Sequence, residues 1–227
     1  MLISISCTIK ECQNFIEEVY GFHNDRHFSL WDMISNVERF AMRGLKGIRK
    51  NDREKARLNL LISLSWFLSV MNRLHIDLDE EVWNRFPHLC SYCAACPCTC
   101  KEEKVLKRRK APVNMKNQPK TLGQFQEMFE AIYPHEKRTI DHAGVHLAEE
   151  LGEFSEAILK FRGEHKDDHF NEVKIEAADV FSNMMGVFNS MKIDLAKELS
   201  SMFYNNCHEC HKAPCECSFE FILKYDS

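Results

Sequence analysis

The chain repeats itself, and that repetition limits the fold more than any single motif. Cys90, Cys93, Pro97, Cys98 and Cys100 return 117 residues later as Cys207, Cys210, Pro214, Cys215 and Cys217. Ile76-Asp77-Leu78 returns in the same register as Ile193-Asp194-Leu195, and Arg43-Gly44 returns as Arg162-Gly163. Near the start, Thr8-Ile9 followed by Gln13, Glu17, Val19 and Tyr20 returns as Thr121-Leu122 followed by Gln126, Glu130, Ile132 and Tyr133. Two copies result, residues 1–100 and 121–227, each ending in a cysteine-rich tail. Between them, residues 101–120 hold eight Lys or Arg, two Glu, Pro112 and Pro119, which reads as an exposed basic linker.

Apolar periodicity within each copy is helical. Leu147, Leu151, Phe154, Ile158 and Phe161 recur at spacings of four and three, as do Val173, Ala177, Val180, Met184, Val187 and Met191. The pattern predicts about four helices per copy: 8–20, 29–46, 52–74 and 78–87 in the first, 121–132, 139–162, 169–191 and 194–205 in the second. The long middle pair would form an antiparallel hairpin completed by shorter helices. Phe161-Arg162-Gly163 reads as a helix end with Gly163 left-handed. No run alternates as a strand does, so the expected class is all-α, a tandem of four-helix-type units.

Acidic residues are interleaved with those apolar stripes. Glu150 and Glu153 lie three apart on one helix face, and Glu176 and Asp179 repeat the spacing after a gap of 22 residues. Four carboxylates on neighbouring helices repel one another and are tolerated near a core when a cation joins them. Oxygen-only ligands suit Mg²⁺ or Mn²⁺, ions that usually bring in a phosphate substrate. Matching the copies places Leu30, Trp31 and Ile34 where Glu149, Glu150 and Glu153 stand, and Asn59 and Ile62 where Glu176 and Asp179 stand. Apolar bulk at those positions in one copy implies that they face inward, and carboxylates there in the other copy imply a metal site.

Glu149-Glu150-x-x-Glu153, the gap, then Glu176-x-x-Asp179, flanked by His146-Leu147-Ala148 and by Asn189 and Ile193-Asp194-Leu195, resembles the signature of the all-α nucleoside triphosphate pyrophosphohydrolases, the MazG-like family. The resemblance covers about residues 121–204. It implies that Glu150, Glu153, Glu176 and Asp179 hold Mg²⁺ and that a nucleoside triphosphate substrate is cleaved to the monophosphate and pyrophosphate. Glu149 would orient or deprotonate the attacking water. Lys160, Arg162 and Lys174 are candidate phosphate contacts, and His146 and Asn183 candidate substrate-pocket residues. That family is commonly built from dimers of such units, which implies an internal pseudo-dimer here and leaves a further homodimer open.

The cysteines form a second constellation. Each copy ends in Cys-x2-Cys-x4-Cys-x-Cys: Cys90, Cys93, Cys98 and Cys100, then Cys207, Cys210, Cys215 and Cys217. Four thiolates suit a closed tetrahedral zinc site, which would be structural. Cys96, His208 and His211 are spare donors, and Cys7 and Cys12 stand apart as isolated residues. The opening residues carry no basic segment followed by an apolar run, so a cytoplasmic setting is expected, where disulfides are unusual. No apolar run approaches the roughly 18 residues of a membrane span, and a net charge of −4 favours neither membrane nor nucleic-acid partners.

Two other readings bear on the same residues. Di-iron carboxylate bundles use Glu-x-x-His, and neither Glu150 nor Glu176 is followed by His at the third position. A non-catalytic, zinc-containing helical module that binds or regulates a partner would account for the tails and linker, but not for carboxylates in one copy only.

Overall fold

The computed structural model describes residues 2–225, and all regular structure among them is helical. In chain order the helices are α1 (Ile9–Ile16), one π-helical stretch (Glu17–Gly21), α2 (Phe22–His27), α3 (Leu30–Arg49), α4 (Arg53–Arg73), α5 (Leu78–Arg85), α6 (Cys100–Glu103), α7 (Leu122–Ile132), α8 (Ile140–Glu164), α9 (Asp167–Ser190), α10 (Leu195–Met202) and α11 (Phe219–Lys224). Short 3₁₀ turns cover Met115–Asn117 and His135–Lys137. Among the described residues no helix is long and apolar enough to cross a membrane.

Starts are set by capping chemistry. Thr8 accepts from the Glu11 N–H while the Glu11 carboxylate accepts from the Thr8 N–H, and Ser29 and Asp32 form the same reciprocal box at α3. Thr121 and Thr139 cap α7 and α8. The end of α8 departs from expectation. The helix runs through Gly163 to Glu164, and His165 takes the left-handed conformation at φ 52°. Its backbone N–H closes on the Phe161 carbonyl at 2.7 Å, as any residue there could, and its ring lies edge-on to Phe161, a contact that glycine could not make.

The two compact units do not coincide with the two copies. One comprises residues 1–77 with 196–227, the other residues 78–195. Each unit therefore contains a long helical hairpin from one copy and the closing helix and cysteine tail of the other.

In the first unit, α3 packs along α4 through Met33, Val37, Phe40 and Ala41 against Leu60, Leu64 and Phe67, all buried. Approach is closest at Gly47, where a Cβ would stand 2.7 Å from the Ala56 backbone nitrogen, so the helix crossing requires glycine. The Phe15 ring packs on Phe203 and the Cys215 N–H donates to the Val19 carbonyl, fastening the second tail to α1 and the π-helical stretch. In the second unit α8 and α9 form the hairpin, α5 packs on α9, and the Cys98 N–H donates to the Ile132 carbonyl at 2.8 Å. Each fully buried Phe in these cores contributes about 2–3 kcal/mol of transfer free energy.

The repeat is also visible in polar detail. Gln13 donates to Asn72 Oδ1 and the Ile76 carbonyl, and Asn72 donates back to the Gln13 carbonyl. In the other unit Gln126, Asn189 and Ile193 make the same three bonds. The left-handed residues His75 and Ala94 recur 117 positions on as Lys192 and His211.

Candidate metal centre and cleft

Burial of one face of α8 and α9 aims the acidic residues. Leu147, Leu151, Phe154 and Ile158 bury one side of α8, and Val173, Ala177, Val180 and Met184 one side of α9. Glu150 on the first and Glu176 and Asp179 on the second are left half-buried on the flank. Their carboxylate oxygens lie within 4.8 Å of one another. Glu153 lines the same cleft one turn along α8, but it is exposed and stands outside this tight group of three.

The group is held by a residue that sequence reasoning missed. Arg85, the last residue of α5, grips Asp179 with both prongs of its fork, Nε to Oδ1 at 3.0 Å and Nη2 to Oδ2 at 2.5 Å. Both side chains are nearly buried, at 12% and 13% exposure, where a bidentate pair is strong. Three ionised carboxylates against one guanidinium leave two negative charges. Glu176 Oε2 is buried with no hydrogen-bond partner. Burial, then repulsion from Asp179 and Glu153, pushes the Glu176 carboxyl up to about 7, and burial with the same neighbours does so for Glu150. A buried oxygen without a partner and an oxygen-only donor set with two excess charges fit a hard divalent cation.

No protein-family model, curated protein or solved structure matches this chain.

The carboxylates form one wall of a cleft of about 730 Å³. Opposite chemistry lines the rest of it: Lys101 and Arg108 from the tail and linker of the first copy, Lys137 and Arg138 just before α8, and His142 and His146. The basic stretch after residue 100 is thus partly folded. Arg109 pairs with Glu103 and its N–H donates to the Tyr92 carbonyl, which brings Arg108 over the Tyr92 ring at 5.9 Å. Proximity to His146, four residues on and 4.4 Å away between ring centroids, lowers the His142 pKa.

Other residues singled out from the sequence fall differently. Asn183 lines the cleft and donates to the Asp179 carbonyl. Glu149 is exposed, does not line the cleft, and pairs with His146 at 2.9 Å. The step from 150 to 149 turns a side chain by about 100° around the helix, away from Glu176. Lys160 pairs with Glu156 on the outer face of α8, and Arg162 is exposed there. Lys174 does not line the cleft; it pairs with Glu81 of α5 at 2.8 Å. Arg57 and Glu198, the residues 117 positions away from each of these, pair identically at 2.8 Å in the unit that has no carboxylate cluster. Lys174 thus belongs to a scaffold contact common to both units.

Where the first unit has apolar replacements, it has almost no cavity. Ile34 and Ile62 are buried, and Asn59 is fully buried with its amide turned back to the Lys55 carbonyl. Ile62 and Trp66 line a space of only about 60 Å³.

Two further centres are built from thiols. In each tail the four cysteine sulfurs lie within 4.8 Å of one another, so each cluster could hold a metal ion such as zinc. Backbone N–H groups at equivalent positions, Thr99 and Glu216, donate to Cys93 and Cys210 sulfurs at 3.4 Å. One thiol per cluster is acidic. Cys93 is held at about 6, burial being outweighed by the N–H groups of Thr99 and Ala95, and Cys207 at about 3, by a hydrogen bond from the Cys215 thiol. Cys96 and His211 stand outside these clusters, and His208 meets the Tyr20 hydroxyl instead. Cys7 and Cys12 are not isolated: their sulfurs lie 3.1 Å apart in the core.

Proposed function

We propose that the chain is a MazG-like nucleoside triphosphate pyrophosphohydrolase, cleaving a nucleoside triphosphate to the monophosphate and pyrophosphate. The observation that carries this reading is the pairing, in one cleft, of a cluster of three carboxylates with a set of cations suited to a polyphosphate. Glu150, Glu176 and Asp179 would hold Mg²⁺, with Glu153 able to join from the open side. Such an ion, when bound, neutralises phosphoryl oxygens and acidifies a coordinated water.

The chain's own residues supply the remainder. Arg85 fixes the Asp179 carboxylate in one orientation, so that its outer lone pairs are presented without a rotamer search. Attack by a water oxygen on the α-phosphorus forms one P–O bond and breaks the α–β bridging P–O bond, releasing pyrophosphate. The water's proton passes to a base in the cleft, and Glu153 and His146 are the groups placed to accept it. The internal pseudo-dimer belongs to the same reading: the copy without the acidic signature contributes Arg85 to the unit that holds the carboxylates.

Pyrophosphate release from a panel of ribo- and deoxyribonucleoside triphosphates, with Mg²⁺, tests the proposal. Release from at least one member is expected. Folded, metal-loaded protein that releases none would instead be a binding module.

A pH dependence follows in the metal-free protein. Glu150 and Glu176 hold protons in the folded state to about 7, against an ordinary 4.5. The folded state therefore binds these protons more tightly than the unfolded chain does. That contribution is complete below about 4.5 and is lost as pH rises through 7. In magnesium-free buffer the melting temperature should fall between about pH 5 and pH 8, and added Mg²⁺ should raise it more at the higher pH. A Mg²⁺ effect that is absent at pH 8 would remove the metal from the site.

A further inference from the structure

Arg138 lies between the turn His135–Lys137 and the Thr139 cap of α8, and its side chain crosses to α9. There the guanidinium rests on Gly186. A Cβ on that glycine would stand 2.0 Å from Nη2, 2.6 Å from Cζ and 2.8 Å from Nη1. The seat is made by the absence of a side chain, and all three nearest atoms belong to Arg138.

A cation in this setting ordinarily has a carboxylate. Arg138 has none: its Nε is buried without a hydrogen-bond partner, and no ion pair among the described residues reaches it. The nearby acid, Glu130, is already engaged with the His135 ring at 2.6 Å. Burial disfavours the charged form of Arg138, and the charge of Glu130, whose Oε2 is itself buried without a hydrogen-bond partner, offsets only part of that cost. The side chain nonetheless lines the cleft that holds Glu150, Glu176 and Asp179. A fork-shaped cation held flat, short of hydrogen bonds and open to a cleft is a receptor for an oxyanion.

We propose that Arg138, seated on Gly186, is a binding residue for the polyphosphate chain of the substrate, and that Gly186 positions it. The inference rests on the triphosphate reading for the nature of the anion. It adds residues outside the acidic signature.

The two residues can be tested separately, because one substitution removes the charge and the other only its seat, and both predict weaker binding by a folded protein. Inorganic tripolyphosphate is the probe, titrated calorimetrically into the full chain with Mg²⁺ present. Arg138→Gln should weaken binding about tenfold to a hundredfold, the range of a charge-assisted contact, and Arg138→Lys should recover part of it. Gly186→Ala keeps the charge but removes the seat. It should weaken tripolyphosphate about tenfold, with a melting temperature unchanged or about 2–4 °C higher, since alanine favours the helix and the displaced atoms are the end of a flexible chain. Wild-type affinity in both Arg138→Gln and Gly186→Ala would overturn the proposal, as would a wild-type chain that does not bind tripolyphosphate.

Turnover separates this proposal from the functional reading beneath it. If wild type hydrolyses nucleotides and Arg138→Gln leaves KM and kcat unchanged, the anion site falls and the hydrolase stands. If tripolyphosphate binding depends on both residues but no nucleotide is turned over, the hydrolase falls and the anion site stands.

Discussion

Glu176→Gln is expected to leave a folded protein whose kcat/KM for pyrophosphate release is lowered by more than about 100-fold. Loss of a partner behind a metal ligand typically costs about 10–100-fold, so loss of a ligand should exceed it. Glutamine keeps the shape and removes the charge, and the fold already shows that an amide is tolerated here. Asn59 occupies the corresponding place in the first copy, fully buried and hydrogen-bonded. Removing one of three mutually repelling carboxylates should also leave stability unchanged or raised near neutral pH, because Glu176 Oε2 makes no hydrogen bond that would be lost. Steady-state kinetics and thermal unfolding on the same preparation provide the check. A variant within threefold of wild type would show that Glu176 does not hold a catalytic ion.

The second large effect concerns the thiols. Protein purified without chelators should carry two zinc ions per chain, and Cys98→Ser should lower that to one. Binding to four thiolates is worth about 10–16 kcal/mol in small zinc-folded peptides, comparable to or larger than the whole stability of a typical domain. The first tail has few apolar contacts of its own beyond Cys90, Cys93 and the edge of Phe86, so it should come apart without metal. Because Lys101 and Arg108 line the cleft from that tail, Cys98→Ser should raise KM as well as lower the melting temperature. Cys215→Ser lies in the other unit, so its effect on KM should be smaller than its effect on unfolding. Elemental analysis of each variant reads the stoichiometry directly. A wild-type chain with less than half an equivalent of zinc would exclude both centres.

Much of the secondary structure was legible because it rests on local chemistry. The stripes of α3, α4, α8 and α9 and the threonine and serine caps are written within a few residues of where they act, and seven of the eight predicted helices agree with those observed to within a few positions; the first, expected to end at 20, continues through the π-helical stretch and α2 to His27, and α6 and α11 were not expected. Three of the four signature carboxylates meet because residues three apart on neighbouring helices need only a hairpin to converge. What could not be read is what depends on which tail closes which hairpin. Arg85 sits in the copy without carboxylates, and position 202, its counterpart 117 residues on, is Met. That asymmetry was visible, yet it gains meaning only once α5 is placed beside α9. The place of Lys174 outside the cleft could not be read for the same reason, since its partner Glu81 lies 93 residues upstream. Glu149 and Lys160 failed differently: adjacency in sequence is not adjacency on a helix, and both turn to the outer face.

The exchange of closing segments ties the two copies together, because each hairpin is closed by a segment of the other copy. In a doubled sequence, one half can lose its acidic residues without loss to the other, provided the parts it lends remain intact. Here the half without carboxylates still supplies the guanidinium that steadies Asp179 and the thiol-bound tail that walls the cleft. Its interior is then free to pack as oil, as the buried Ile34 and Ile62 record, while residues 78–100 are held to their task.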